Sequence, residues 1–188
     1  MLARQVVQRN LRQLNRRFFN RGAELVAPDL VGAVLVRVVA GVLRQARIIE
    51  TEAYVGAHDL ACHASKGRTH RTQVMFGPPG YAYVYFIYGM YYMLNIVTAP
   101  AGNPQAVLLR AALPLDGWEA DLSGPGKLAR AFGITLMDRG LDVTGSDLYV
   151  LKNSRHHPRI RITPRIGVDY AGQWRLAPLR FIEQVGPP

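Results

Sequence analysis

Runs of alternating and continuous apolar residues predict two hairpins and several further short strands. One hairpin is expected from strands at 33–39 and 43–54, turning at Ala40-Gly41. A second hairpin, apolar on both faces, is expected from strands at 82–88 and 91–98. Further short strands are expected at 105–112, 147–151, 160–163 and 166–168.

Helical spacing is confined to three segments. The first covers about residues 3–19, where apolar and basic side chains form separate stripes, as in an amphipathic helix. The apolar stripe consists of Val7, Leu11, Leu14 and Phe18, and the basic stripe of Arg9, Arg12 and Arg16. A second helix is expected at about 23–31, interrupted by Pro28, and a third in GPGKLARAFG, ending at Gly133. Helices first and strands afterwards predict an α+β fold with a mostly antiparallel sheet, in a single domain over 1–188 with the N-terminal helix (1–17) at its periphery.

Composition narrows the class of protein. The 188 residues carry a net charge of +10 and are 49% hydrophobic, so the chain can bury a core and is not a disordered basic tail. Arginines outnumber lysines by 20 to 3; the guanidinium suits phosphates, although a GC-rich genome gives the same bias. The surplus indicates an anionic partner, namely nucleic acid, an acidic membrane surface or an acidic protein. The single cysteine, Cys62, excludes a disulfide framework and a cysteine-based zinc site and favours a reducing compartment.

The charge is arranged around an uncharged tract of 38 residues, 72–109. Its length invites comparison with a membrane segment, but six tyrosines and many glycines and prolines favour strands. The basic residues that flank this tract are Lys66, Arg68, Arg71 and Arg110. Cations beside clustered aromatic rings are what phosphates and base faces require. A second acid-free stretch, 148–168, is expected to be a solvated, charged loop.

The segment IIETEAY holds the first candidate chemistry. On a strand, Glu50, Glu52 and Tyr54 share one face. Two carboxylates there form either a solvated face or a pocket-facing general base, and periodicity does not decide between them. His63 lies in a loop by composition and is expected to be a polar surface residue. The weakest candidate is a metal site, whose ligands would be His58, Asp59 and His63.

Two other segments have both a structural and a functional interpretation. SGPGKL is not a phosphate loop, because Asp121 stands where the first glycine belongs and Leu128 replaces the serine or threonine. Lys127, near a helix start, can still contact a phosphate. YGMYY places Tyr88 at a hairpin turn near Gly89. Aromatics near turns are commonly core residues, but an aromatic at a hairpin tip can also fill the gap left by an extruded nucleotide.

Several segments together resemble one family. ETEAY, MFGPPG, AYVYFIYGM and LNIV, followed by SGPGKL, TPRIGV and PLRF, are similar in order and spacing to the alkyladenine (3-methyladenine) DNA glycosylases, which are distinct from the helix-hairpin-helix type. The similarity runs from about Phe18 to Phe181. It implies a curved sheet flanked by helices, with a protruding hairpin. It also implies a monofunctional base-excision enzyme that flips alkylated or deaminated purines from duplex DNA and hydrolyses the N-glycosidic bond, leaving an abasic site, without cofactor, metal or lyase activity.

The resemblance implies roles for individual residues. Glu52 resembles the general base that activates water, Arg110 the arginine that helps to hold this water, and Ile166 the residue whose carbonyl does so. The implied base-binding residues are Tyr54, His63, Tyr85 and Asn95, the last disfavouring the 2-amino group of guanine. The implied DNA-intercalating residues are Tyr88, Met90 and Tyr91, and the implied phosphate contacts are Arg68, Arg71 and Lys127.

Three positions depart from the family pattern. Leu113 stands where an acid is usual and Thr72 where asparagine is usual, which puts local loop or phosphate geometry in doubt. Cys62 replaces a common serine or alanine and can reshape the pocket. The resemblance implies double-stranded DNA as partner and a bacterial cytoplasmic, nucleoid-associated monomer; the lesion range stays open. The alternatives are a non-enzymatic RNA- or ribosome-associated protein, which leaves ETEAY unexplained, and a membrane-surface protein.

Overall fold

The strands form one antiparallel sheet that curls into a half-barrel. The computed structural model describes residues 11–39 and 41–184, and that part of the chain contains nine strands. They are β1 Leu11–Gln13, β2 Val34–Val39, β3 Val42–Tyr54, β4 Ala82–Ile87, β5 Tyr91–Thr98, β6 Gln105–Pro114, β7 Leu148–Asn153, β8 Ile160–Thr163 and β9 Arg180–Glu183. Their order is β1-β7-β2-β3-β6-β5-β4, while β9 pairs with both β3 and β8.

Short helices lie between and beside the strands, which confirms the α+β class. The α-helices are α1 Arg16–Phe19, α2 Ala23–Leu30 and α3 Pro125–Ala131. The 3₁₀ helices are His63–Lys66, Gln73–Phe76, Leu136–Asp138 and Asp169–Leu176. Pro28 lies inside α2 and does not interrupt it, and Gly133 ends the turn after α3 with a φ of +62°.

The long N-terminal helix predicted at about 3–19 is wrong where the chain is described. Leu11–Gln13 is strand β1 and pairs with β7. A helix begins only at Arg16, after Asn15, whose side chain accepts a hydrogen bond from the Phe18 N–H. Pairing with a sheet edge satisfies the backbone of a segment whose isolated helix would be only marginally stable. The predicted stripe residues outside the described part are Val7 and Arg9.

Both predicted hairpins, the strand after them and the predicted strand 160–163 are confirmed, with ends that shift by one or two residues. The strand predicted at 166–168 is wrong. This segment bends, because Gly167 adopts a φ of +72° and the Ile166 N–H donates to a side chain instead of a neighbouring strand. Strand β9, which the sequence pattern did not predict, covers part of PLRF and pairs with the middle of β3.

Strand β3 is the longest strand and positions the candidate chemistry. It pairs with β2, β6 and β9, so its second half has neighbours on both sides. Its pairing with β6 is irregular on both sides of Glu50, and such bulges re-aim side chains. Thr51 points to the opposite face, where its hydroxyl donates to the Ala27 carbonyl of α2. The carboxylates of Glu50 and Glu52 are thereby held on the other face.

The uncharged tract 72–109 lacks charged residues because most of it is packed in the sheet and the core. Its apolar residues form β4, β5 and much of β6, and one of its core clusters contains Met75, Tyr83 and Val97. A larger core lies between the sheet and the helices, with Phe19, Leu30 and other fully buried side chains. Among the described residues, no helix is both long enough and apolar enough to span a membrane.

Candidate active site

A cavity of about 430 Å³ opens between the second hairpin, the ends of β3 and β6, and the loop after β8. Such a concave, mainly apolar cavity with a few polar groups is the usual form of a small-ligand site. The aromatic residues that line it are Tyr54, His63, Tyr83, Tyr85, Tyr88, Tyr91 and Tyr170. The lining is therefore suited to a flat ring.

Glu52 lies directly behind the wall of this cavity and is fully buried. One carboxylate oxygen, Oε1, accepts the Ile166 N–H at 2.9 Å and lies 3.4 Å from Nη1 of Arg110. The other, Oε2, accepts the Tyr54 hydroxyl at 2.9 Å. The residues that supply these three groups all line the cavity. The carboxylate is thus held rigidly, and each oxygen still has a lone pair for a further proton.

The environment of Glu52 raises its pKa above the ordinary 4.5, mainly because burial disfavours the charged form. The Arg110 charge and the hydrogen bonds from Ile166 and Tyr54 oppose that rise, while the charge of Glu50 adds to it. A buried carboxylate with a raised pKa has the character of a general base.

Two arginines balance the two carboxylates. Arg110 Nε donates to Glu50 Oε1 at 2.8 Å, and Arg180 Nε donates to the same oxygen at 2.7 Å. The Glu50 side chain is only 14% exposed and that of Glu52 is fully buried, so the solvated-face interpretation of ETEAY is wrong. Because Arg110 contacts both carboxylates, it links them into one network.

His63 begins a 3₁₀ helix and lies in the aromatic wall, so the expectation of a surface residue is wrong. Its Nδ1 lies 2.9 Å from the Tyr83 hydroxyl, and its ring meets the Tyr85 ring edge to face at 4.6 Å. Burial, and secondarily the Arg71 charge, lowers its pKa to about 4. The imidazole is therefore neutral at neutral pH and adds no positive charge to the cavity.

Two tyrosines of the wall, Tyr54 and Tyr85, are also neutral. Burial raises the pKa of Tyr54 and of Tyr85 well above the ordinary value. The Tyr54 phenol therefore stays protonated and remains a donor to the Glu52 carboxylate. The cavity combines uncharged rings, which favour a cation, with the buried Glu52 carboxylate behind them.

Asn95 is buried in β5 and lines the same cavity. Its amide nitrogen donates to the carbonyls of Tyr83, at 3.2 Å, and Met93, at 3.4 Å. These bonds fix the orientation of the amide. Its discrimination against guanine stays a prediction.

The tip of the second hairpin projects into solvent. Tyr88 is 76% exposed and Met90 64% exposed, so the interpretation of Tyr88 as a core residue is wrong. Tyr88 and Gly89 have φ values of +55° and +66°, and the Met90 N–H donates to the Ile87 carbonyl, which together define a type I′ turn. Tyr91 is different: it is half-buried and packs against Gly126 of α3.

Two of the three predicted phosphate contacts, Arg71 and Lys127, lie at the cavity. Arg68 and Arg71 are exposed, and the Arg71 guanidinium covers the Tyr85 ring at 4.9 Å. Lys127 also lines the cavity, but its amine is paired with Asp121 at 2.7 Å. No cluster of three metal-ligating side chains exists among residues 11–39 and 41–184.

The three departures from the family pattern have different settings. Cys62 is buried at the cavity, where burial raises the pKa of its thiol to about 11. Thr72 closes the turn before the second 3₁₀ helix, because its hydroxyl donates to the Gly67 carbonyl. Leu113 is partly exposed on β6.

Sequence reasoning missed several residues of the site. Tyr83 lines the cavity two residues before Tyr85, and strand alternation could have identified it. Tyr170 reaches the rim from the 3₁₀ helix after β8. Asp59 and Arg165 form a fully buried ion pair, and no sequence signal connects residues 106 positions apart.

The arrangement is a cavity lined by aromatic rings, with the buried Glu52 carboxylate behind its wall, and such a cavity suits a flat, electron-poor ring. The exposed aromatic tip and the surrounding arginines suit a nucleic acid carrying that ring.

Comparison with known proteins points to the same class, namely proteins that act on nucleic acids. The family model of methylpurine-DNA glycosylase matches residues 17–187. Three relatives share the name "Putative 3-methyladenine DNA glycosylase". The protein of Anaeromyxobacter dehalogenans strain 2CP-1 is 47% identical over 93% of this chain and 84% of its own length. Those of Methanocella arvoryzae and Legionella pneumophila strain Corby are each 46% identical, over 93% and 94% of this chain and 94% and 97% of their own lengths. The chain therefore belongs to the methylpurine-DNA glycosylase family.

Proposed function

We propose that this protein is a monofunctional DNA glycosylase that flips alkylated or deaminated purines out of duplex DNA and hydrolyses their N-glycosidic bond. The observation that carries the proposal is the buried Glu52 carboxylate behind an aromatic cavity, with the exposed Tyr88 at the rim. Family membership and the names of the relatives give the reaction class. Its place of action would be chromosomal DNA in the bacterial cytoplasm, as a monomer.

The proposed chemistry needs one carboxylate. Water attacks C1′ of the damaged nucleotide, and Glu52 takes a proton from that water as the new C–O bond forms. The electrons of the broken C–N bond leave with the base, so an alkylated, cationic purine departs neutral. A neutral lesion such as hypoxanthine would depart as an anion and take a proton from solvent water. A nearby carboxylate also stabilises the oxocarbenium-like transition state. Arg110 and the Ile166 carbonyl would hold the water; the bond from the Ile166 N–H to Glu52 supports a role for this residue next to the proposed base.

Binding of the flipped base would use the aromatic wall. Tyr54, His63 and Tyr85 would sandwich the ring, since their uncharged faces favour a cation. Tyr88, with Met90 and Tyr91 beside it, would fill the gap in the duplex. Flipping costs a few kcal/mol, and less for a damaged base, which favours lesions over normal nucleotides.

Absence of lyase activity is part of the proposal. An N-glycosylase with lyase activity needs an amine that attacks C1′. The three lysines do not suit this role: Lys66 is exposed outside the cavity, Lys127 is paired with Asp121, and the Lys152 amine donates to the Asp29 carbonyl. Borohydride trapping of a covalent complex with lesion DNA should therefore yield none.

The test is incubation of the protein with duplexes containing 3-methyladenine, 7-methylguanine, hypoxanthine or ethenoadenine. Abasic sites are expected with at least one lesion and none with an undamaged duplex. If no abasic site forms while undamaged RNA binds tightly, the RNA-binding alternative replaces the proposal. The panel also gives the lesion range, which pocket volume alone does not define.

A further inference from the structure

Behind the cavity lies a buried ion pair that the proposed reaction does not use. Arg165 Nη1 and Nη2 donate to the two carboxylate oxygens of Asp59 at 2.5 and 2.8 Å, and both side chains are fully buried. Taking two charges out of water is expensive, so such a pair adds little net stability by itself.

The pair joins three segments of the chain. Arg165 Nη1 donates to the Ala53 carbonyl of β3 at 2.9 Å. Asp59 accepts the N–H groups of Val55, at 3.2 Å, and Ala61, at 3.0 Å, which shapes the loop after β3. The end of β3, the loop that leads to His63, and the segment after β8 therefore meet at one charged contact.

Each of these segments supplies a group of the candidate site. The end of β3 carries Glu52 and Tyr54, and the residue after Arg165 is Ile166. The Arg165 guanidinium also lies over the Tyr54 ring at 4.8 Å. The two groups that donate to the Glu52 oxygens, the Tyr54 hydroxyl and the Ile166 N–H, are thus both adjacent to Arg165.

We propose that Asp59 and Arg165 are positioning residues, which hold the Tyr54 hydroxyl and the Ile166 N–H in place on the two oxygens of Glu52. This inference rests on the proposed function, because it concerns the orientation of the proposed general base. These contacts require the planar, forked guanidinium of an arginine. Nη1 donates to Asp59 and to the Ala53 carbonyl, Nη2 donates to Asp59, and the flat face covers the Tyr54 ring.

The test compares Arg165→Lys with a matched control, Arg37→Lys. Lysine keeps the charge but loses the fork. Arg37 also forms a largely buried ion pair, with Asp138 at 2.7 Å, but neither residue lines the cavity. Three quantities are measured for each variant: the single-turnover excision rate, the Kd for the lesion duplex in a Glu52→Gln background, and the melting temperature.

For Arg165→Lys we expect the excision rate to fall by about tenfold or more, because small misplacements of a catalytic group are costly. The Kd should change little. Arg37→Lys should lower the melting temperature comparably and leave the rate almost unchanged. Equal, small losses of rate in both variants would overturn the inference and leave a merely structural pair.

Charge and geometry are separated by Arg165→Met. The groups that face Glu52 are Glu50 and Tyr54 on β3, Arg110 on β6, Tyr85 on β4, and Arg165 with Ile166 on the loop. Removing the Arg165 cation should move the acid limb of the rate profile to higher pH, whereas Arg165→Lys should lower the plateau and leave the limb in place. An identical profile with an unchanged plateau in both variants would contradict the proposal.

If Arg165→Lys does not fold, the neutral pair Asp59→Asn with Arg165→Gln replaces it and the same separation of rate and Kd is expected. A rate equal to wild type in that double variant would overturn the inference. Failure of the proposed function is distinguishable, because an active Glu52→Gln variant would remove Glu52 as the base whatever the Arg165 variants do.

Discussion

Two regions of the candidate site are opposite in construction. One is the tip of the second hairpin, and the other is the buried Glu52 carboxylate with the groups bonded to it, which together form the floor of the cavity. At the floor, Glu52 is fully buried and both of its oxygens accept hydrogen bonds. At the tip, Tyr88 is 76% exposed and lies in a tight backbone turn. A buried charge lowers stability, and an exposed aromatic gains nothing from folding. Both regions therefore carry a cost in stability, the floor through desolvation and the tip through exposure, which is what the proposed function leads us to expect of a site.

Because Glu52 is buried and Tyr88 is exposed, mutations in the two regions should change different properties. Substitutions at the floor should affect chemistry and folding together, because the charged groups depend on one another. Substitutions at the tip should affect DNA binding alone.

The largest combined effect is expected from Arg110→Met. Glu52 would lose its main counter-charge, so its pKa should rise further and the acid limb of the excision rate should move to higher pH. Breaking a buried pair typically costs about 3 to 5 kcal/mol of unfolding free energy. Denaturant unfolding and a pH–rate profile check both parts; a variant of wild-type stability with an unmoved limb would count against the network.

Tyr88→Ala should weaken binding to a lesion duplex by about 1 to 3 kcal/mol, the usual value of an aromatic stacked on a base. Its melting temperature should equal that of wild type. Phe86→Ala is the matched control, because Phe86 is a partly exposed aromatic of the same hairpin that stacks on Tyr92 outside the cavity lining. Equal losses of affinity in both variants would show that the tip is not special.

A smaller effect is expected from Gly126→Ala. The added Cβ would lie 2.6 Å from the Tyr91 ring, so the ring must move away from α3 and the hairpin with it. Gly124→Ala, two residues earlier, meets open space and is the control. We expect a several-fold loss of lesion-duplex affinity only for Gly126→Ala, of order 1 kcal/mol as for other overpacked sites. Equal affinities in the two variants would refute a link between α3 and the hairpin.

The smallest effect concerns His63 and pH. Its folded-state pKa of about 4 lies below the ordinary 6.5, so between these values the unfolded chain binds a proton that the folded protein does not. Above pH 6.5, His63 therefore does not lower the free energy of unfolding. As the pH falls from 6.5 towards 4, it lowers this free energy progressively. His63→Gln should make the melting temperature less dependent on pH in this window, and an unchanged dependence would contradict the shifted pKa.

Local patterns predicted much of this structure. Alternating apolar residues identified both hairpins, and ETEAY placed Glu52 and Tyr54 on one face. Predictions from local patterns were wrong where contacts between distant segments determine the structure. Leu11–Gln13 has helical spacing but joins the sheet through β7, and the 166–168 strand is replaced by a bend because Ile166 donates to Glu52. The burial of Glu52 could not be predicted from the sequence either, because it depends on the segments that the fold packs around this residue.

In the proposed mechanism the buried Glu52 carboxylate performs the chemistry, while the aromatic tip and wall perform the binding. The most direct measurement is the single-turnover excision rate of Glu52→Gln at saturating protein, on a duplex lesion that wild type excises. We predict a loss of about 10² to 10⁴-fold, as for other general bases, with lesion binding retained. Excision at the wild-type rate would rule out Glu52 as the general base.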